Sequence, residues 1–400
     1  MRNFKNKVFK TYNLLFILSF SLARALPFIV FFLGAHLLTS SQYVNLENIF
    51  AISSLMLPFA SYGITGLLAV INQNKINKDL INRHIQISSL LLFSVSTILF
   101  FTNHYVILNI INILIILLIT HSTTTFFKIN KKKILGLAGE SFLYLLILIF
   151  LIFYSYNKIH FQYNFLQKNF FYFLSLIYIV CHFVFYGQKI LHKLHIKESL
   201  KIYKRSYGLL ISGIIISLIS LYPRIFIKYF PEDQQFDFIY TYRIAFLGFI
   251  IHQLFSTFFF RDIFKSRWLK IIKLIFLTIV LTFVASLFFV LLYIYLSKFE
   301  SFNLTSIKFN FFIIIQIFLL SFVNYIQIIL LRSRKSIKFY KTILIQYLSI
   351  FFISLLLFKY LNLDIIYLSY AHIIVMIYYI LISYKFLISD ILPKKLFLQK

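Results

Sequence analysis

Apolar runs of about 20 residues recur from one end of the sequence to the other. Each is long enough to cross ~30 Å of hydrocarbon at about 1.5 Å per residue. The runs do not alternate polar and apolar residues in short segments, which excludes the strand pattern of a membrane β-barrel. The pattern predicts an all-α, polytopic membrane protein of about twelve spans. They are expected near residues 13–38, 48–71, 84–101, 105–127, 134–154, 170–187, 207–227, 237–260, 274–296, 309–331, 342–358 and 365–384. The first run follows a basic start, MRNFKNKVFK, as a signal peptide would. It is too long for one and ends without a small-residue cleavage site, so it is read as the first span.

The basic residues follow this segmentation. They crowd the N-terminus, every second loop and the C-terminus. The intervening loops hold only Lys158, Lys168, Lys228, Lys298, Lys308 and Lys359, while Arg24, Arg224 and Arg243 fall inside spans. By the positive-inside rule this alternation places both termini in the cytoplasm. The most basic loop, QKILHKLHIKESLKIYKRS, interleaves Lys and Arg with Ile and Leu. It reads as an amphipathic helix on the lipid surface. The expected domains are therefore an N-terminal six-helix bundle over 1–190, a basic connector over 191–206 and a C-terminal six-helix bundle over 207–400, with a cleft between the bundles.

Composition narrows the classes further. The chain is 61% hydrophobic with a mean hydropathy of +0.88, beyond the roughly 45–50% apolar content of soluble domains. A formal charge of +29 would suggest nucleic acid in a soluble protein. Here loop placement accounts for it, and no aromatic–basic RNA-binding module is visible, so nucleic acid is not an expected partner. Cys181 is the only cysteine, so there is no disulfide framework or thiolate cluster. The histidines are scattered singly without ligand spacing, and no metal or cofactor is expected. No phosphate-binding glycine loop, nucleophile–base set or carboxylate pair appears, so the sequence points to a transporter rather than an enzyme.

Candidate chemistry lies in the polar residues of the spans. A cation at the centre of a membrane helix costs roughly 2.5–3.5 kcal/mol on insertion scales, so it needs a reason to be there. Arg24 sits near the middle of span one, three residues before Pro27. Gly213, Ser217, Ser220 and Arg224 form one stripe on an ideal helix in span seven, followed by Lys228. Span eight carries Arg243 and His252. Arg224 and Arg243 lie within about two turns of the outer surface, so snorkelling to the interface competes with facing a cavity. Tyr222, Tyr229, Tyr240 and Tyr242 read as an interfacial aromatic belt.

Glu140 is the acidic residue well inside a span. It is read either as the group for proton or sodium coupling or as a partner for an Arg or the lysines at 131–133. Ser61, with Ser54, Pro58 and Thr65 on one stripe of span two, is a cavity-lining candidate or a packing residue. Asn109, Asn112, Thr120, Gln316, Asn324 and Gln327 would line a cavity or join helices. Glu47 and Asp237 are expected at helix starts, where the dipole favours acids. The halves echo each other at an offset of about 190 residues, Arg24 and Pro27 against Pro223 and Arg224, as inverted or parallel transporter repeats do.

Two stretches carry a resemblance: ARALPFIVFFLGAHLLTSSQYVNLENIFAISSLMLPFASYGITG and SLYPRIFIKYFPEDQQFDFIYTYRIAFLGFIIHQLFSTFFF. They are similar to the first two spans and the span seven–eight signature of the multidrug/oligosaccharidyl-lipid/polysaccharide flippase superfamily. Within it, the chain resembles the Wzx-like flippases of O-antigen and capsule repeat units. It departs in placing bulky Phe238 and Ile239 before Tyr240, where the family tends to have a small residue.

The resemblance implies a carrier of polyprenyl-diphosphate-linked oligosaccharide from the inner to the outer leaflet of the bacterial inner membrane. With it, Arg24, Arg224 and Arg243 become the expected headgroup ligands, while the residues themselves, apart from the resemblance, offer Glu140 as the ion-coupling candidate and Ser61, Ser217, Ser220, His252 and Asn324 as candidates for cavity lining. The bilayer and the polysaccharide polymerase machinery are the further implied partners. The alternatives are a membrane glycan polymerase or ligase, and a drug or small-solute exporter of the same superfamily.

Overall fold

The computed structural model describes residues 2–64, 78–102, 104–129, 133–156, 162–186, 196–258, 268–297, 304–332, 336–361 and 363–387. All regular structure among them is helical. The chain divides into two compact units, Met1–Leu210 and Ile211–Lys400.

The first unit contains α1 (Arg2–Leu37), α2 (Ser40–Ser61), α3 (Lys78–Phe101), α4 (Tyr105–Ile129), α5 (Lys133–Tyr156) and α6 (Tyr163–Tyr186). α4 packs against α2, α3, α5 and α6, so it forms the core of the unit. Its two asparagines join helices. Ser96 Oγ of α3 and Ser175 Oγ of α6 both donate to Asn112 Oδ1, at 2.6 and 3.0 Å. Asn109 Nδ2 donates to Gln167 Oε1 of α6 at 3.2 Å. Lipid offers no competing hydrogen bonds, so such buried pairs fix which helix faces meet.

α2 begins with a capping box. The Thr39 hydroxyl accepts from the Gln42 backbone N–H, and Gln42 Oε1 accepts from the Thr39 N–H. Glu47 is therefore interior to α2 and buried, with Tyr43 Oη donating to Glu47 Oε1 at 3.4 Å, rather than at a helix start. Asp237 likewise falls inside its helix. α2 stops at Ser61, short of the expected end at 71, because Tyr62 and Gly63 adopt left-handed backbone, with φ of 49° and 65°. A Cβ on Gly63 would also fall 2.9 Å from the Ser206 carbonyl oxygen, so this turn fits only a glycine. Thr65 and Gly66 lie outside the described residues.

α7 (Ile196–Ser220) runs across the boundary of the units without a break at the expected end of the connector. Residues 191–195 of the connector lie outside the described residues. In the second unit follow α8 (Tyr222–Phe226) with a 3₁₀ turn (Ile227–Tyr229), α9 (Glu232–Phe246), α10 (Phe249–Phe258), α11 (Trp268–Ser297), α12 (Leu304–Arg332), α13 (Ser336–Tyr360) and α14 (Ile366–Phe386). α12 packs against α9, α10, α11 and α14.

Nine helices among the described residues are long and apolar enough to cross a membrane, or eleven if each of two bent pairs is one span. The seventh and eighth expected spans are bent pairs, and α2 is not among the helices that qualify.

α11 shows how the surface differs from that of a soluble protein. α11 exposes Phe276, Val280, Val284, Phe288 and Leu291 while it buries Thr278, Thr282 and Ser286. Thr278 and Thr282 bond back to the carbonyls of Leu274 and Thr278, at 2.7 and 2.8 Å. An exposed apolar stripe with hydroxyls turned inward suits lipid as the solvent. The chain is a multi-pass helical membrane protein.

The eighth expected span begins at Glu232 rather than 237, and α9 and α10 meet at an angle of 41°. Gly248 sits at the break. A Cβ there would fall 2.7 Å from Ser286 Cα and closer still to its backbone N and Oγ. Gly248→Ala is expected to force α10 away from α11 and cost about 1–3 kcal/mol, as overpacked sites do. Denaturant unfolding in bicelles measures it, and a loss below about 0.5 kcal/mol would show that the contact yields freely.

Candidate anion-binding site

Proline shapes the site. Pro223 has no N–H, so the carbonyl four residues earlier, that of Ile219, loses its helical donor. The chain bends by 64° between α7 and the α8 segment. Pro27, by contrast, lies within an uninterrupted α1, so the two halves echo each other in sequence but not in local structure. The bend also ends the stripe expected from Gly213 to Arg224, because Ser217 and Arg224 no longer share a straight helix.

Beyond the bend lies a cavity of ≈ 240 Å³, lined by Ser220, Leu221 and Arg224 from the bend, Tyr242, Arg243 and Phe246 from α9, Phe249 from α10, and Leu320 and Asn324 from α12. Arg224 and Arg243 therefore share one cavity. Arg243 is only 9% exposed, so snorkelling to the interface does not describe it. No carboxylate is among the lining residues.

Tyr242 is 5% exposed, and its hydroxyl has no hydrogen-bond partner among the described residues. Tyr222 is 1% exposed. Both were expected in an interfacial belt and are instead buried. Tyr242 could not be distinguished from a belt residue in the sequence, because its burial depends on where the bend places α8 against α9.

Among the remaining polar groups, Ser220 Oγ donates to the Ile216 carbonyl at 2.7 Å. Asn324 Nδ2 donates to the Leu320 carbonyl at 2.8 Å, which leaves its oxygen and second amide hydrogen for the cavity. Lys228 is exposed, with its ammonium 5.1 Å from the ring centroid of Tyr229.

The other sequence candidates lie elsewhere. Ser217 and His252 are not among the lining residues. His252 is buried between the ring of Phe249, 4.6 Å away, and that of Tyr325, 4.4 Å away. Ser61 closes α2 in the first unit, donating to the Pro58 carbonyl at 3.3 Å. Arg24 is also in the first unit, on α1, which packs along α5. Its Nη2 lies 2.8 Å from Glu140 Oε2, with each side chain about one-fifth exposed (23% and 20%). The Phe20 ring lies 5.5 Å from the guanidinium carbon. Arg24 thus sits beside a carboxylate, and Arg224 and Arg243 converge on one cavity.

Two guanidinium groups, a phenol and a carboxamide supply donors, while Phe246, Phe249, Leu320 and Leu221 exclude water. In such low-dielectric surroundings a charge-assisted hydrogen bond to an oxyanion is about twice as strong as a neutral one. The volume falls below the roughly 300–1,000 Å³ of drug-sized pockets, which suits a phosphate-sized group. Among the described residues, no group of His, Cys, Asp and Glu is placed to hold a metal ion. Compared with protein-family models and with curated proteins, the sequence matches none.

Proposed function

We propose that the chain is a flippase, which carries polyprenyl-diphosphate-linked oligosaccharide from the inner to the outer leaflet of the bacterial inner membrane by alternating access. The observation that carries this reading is the cavity where Arg224, Arg243 and Tyr242 meet. A diphosphate crossing hydrocarbon needs a cationic, donor-rich environment, while its polyprenyl tail stays in lipid. The resemblance of the Ala23-to-Gly66 and Ser220-to-Phe260 stretches to Wzx-like flippases points the same way. In this reading both termini are cytoplasmic, in keeping with the positive-inside rule. Glu140, beside Arg24, is the candidate carboxylate for proton or sodium coupling.

The test uses the full chain in proteoliposomes with a fluorescent polyprenyl-diphosphate glycan in the inner leaflet. Protein-dependent exposure of the label to an external quencher is the expected result. In cells, deletion is expected to leave lipid-linked repeat units on the cytoplasmic side with drug tolerance unchanged. Outward accumulation of unpolymerised units would instead identify a polymerase or ligase, and altered drug tolerance a solute exporter.

A further inference from the structure

His372 of α14 lies in the second unit, fully buried, and is not among the residues that line the cavity. Its Nε2 is 2.8 Å from the Ile219 carbonyl oxygen. That carbonyl is the one whose helical donor Pro223 removes. A carbonyl only accepts, so Nε2 carries the proton in this bond. Nδ1 lies 2.7 Å from Gln316 Oε1 of α12, and the oxygen and nitrogen of that amide exchange places on a half-turn about its last torsion. With the amide nitrogen turned toward the ring, Gln316 donates to Nδ1 of a neutral imidazole. This also satisfies the Gln316 nitrogen, which otherwise has no partner among the described residues.

The same ring supports the far side of the bend. Tyr222, the residue before Pro223, stacks on His372 with centroids 5.7 Å apart and planes 8° from parallel. Its hydroxyl donates to Ser354 Oγ of α13 at 2.6 Å, and Ser354 donates in turn to the Ile350 carbonyl at 2.8 Å. Phe226, at the end of α8, packs on Phe351 and Phe358 of α13, at 4.7 and 5.4 Å. α8 is thus held from α13 and α14, and Arg224 projects from it into the cavity.

We propose that His372 is a positioning residue for Arg224: by donating to the carbonyl that Pro223 leaves unpartnered, it holds the 64° bend that brings the guanidinium into the cavity. The inference rests on the anion-site reading given above. A buried unsatisfied carbonyl would otherwise favour a hydrated or rearranged junction, and the guanidinium would move with it.

The test measures affinity of the full chain in nanodiscs for inorganic diphosphate, well below the melting temperature. His372→Leu is expected to weaken binding about tenfold, and His372→Gln, which keeps a donor, to recover most of it. Pro223→Ala restores a backbone N–H to the Ile219 carbonyl. In that background His372→Leu is expected to change affinity by less than about twofold. Equal losses in the two backgrounds would show that the ring acts only by packing, and no loss in the proline background would overturn the inference outright.

If His372→Leu fails to fold, the same comparison is read in folding. Recovery by Pro223→Ala supports the inference and continued misfolding overturns it. Arg224→Ala separates the two readings. If it leaves diphosphate affinity unchanged, the anion site and the positioning role fall together. If it weakens binding while His372→Leu does not, only the positioning role falls.

Discussion

Replacing Arg224 and Arg243 together by Ala is expected to abolish measurable binding of inorganic diphosphate, and with it the proposed transport of the lipid-linked glycan, with the protein still folded. Each guanidinium supplies a charge-assisted hydrogen bond worth about 1.5–3 kcal/mol, so each single replacement weakens binding roughly ten- to a hundred-fold. Lys at either position recovers part of the loss, because it keeps the charge and loses the planar fork. Tyr242→Phe removes one neutral donor and costs less, about three- to tenfold. Because that hydroxyl is buried without a partner among the described residues, the same change is also expected to leave the empty protein equally or more stable. Titration calorimetry in nanodiscs gives the affinities. Undiminished binding in the double variant would refute the anion site.

The second large effect concerns Arg24 and Glu140. Removing one member of an enclosed ion pair leaves the other charge uncompensated in low-dielectric surroundings. Glu140→Ala is expected to destabilise the chain by about 2–3 kcal/mol, below the range for fully buried pairs because each side chain keeps some exposure. Arg24→Ala is expected to be similarly costly. Combining the two removes both charges, so the double variant is more stable than the sum of the singles predicts. Denaturant unfolding in bicelles measures the coupling, and additive losses would show that the 2.8 Å contact carries no energy.

This pair alters the ranking that the sequence suggests. Arg24 is the deepest cation in the sequence and the first candidate for a headgroup ligand, but it lies beside a carboxylate. Arg224 and Arg243 have the weaker sequence case, because interfacial snorkelling explains cations near span ends. In the fold they are the two that share a cavity.

Much of the architecture is legible in the residues alone. Run length and apolar content determine that the chain is all-α and multi-pass, because only a helix satisfies its own backbone in hydrocarbon. The places where regular spans fail are also marked locally. Pro223 cannot donate to Ile219, and Gly248 lacks the Cβ that Ser286 would meet. The reading of Asn109 and Asn112 as helix-joining groups was open in the sequence. Their bonds to Gln167, Ser96 and Ser175 decide it.

Tertiary structure alone decided which polar residues meet. Helical periodicity places Ser217 and Arg224 on one stripe, but a bend of 64° separates what an ideal helix aligns. Nothing local distinguishes Tyr242 from an interfacial tyrosine, or His372 from an isolated packed histidine. Their roles come from partners at the bend and on α9, α12 and α14, far apart in sequence. A periodic pattern records which face of a helix is polar. Which other face it meets depends on helix packing, where a lost backbone hydrogen bond must find its replacement wherever a donor can reach.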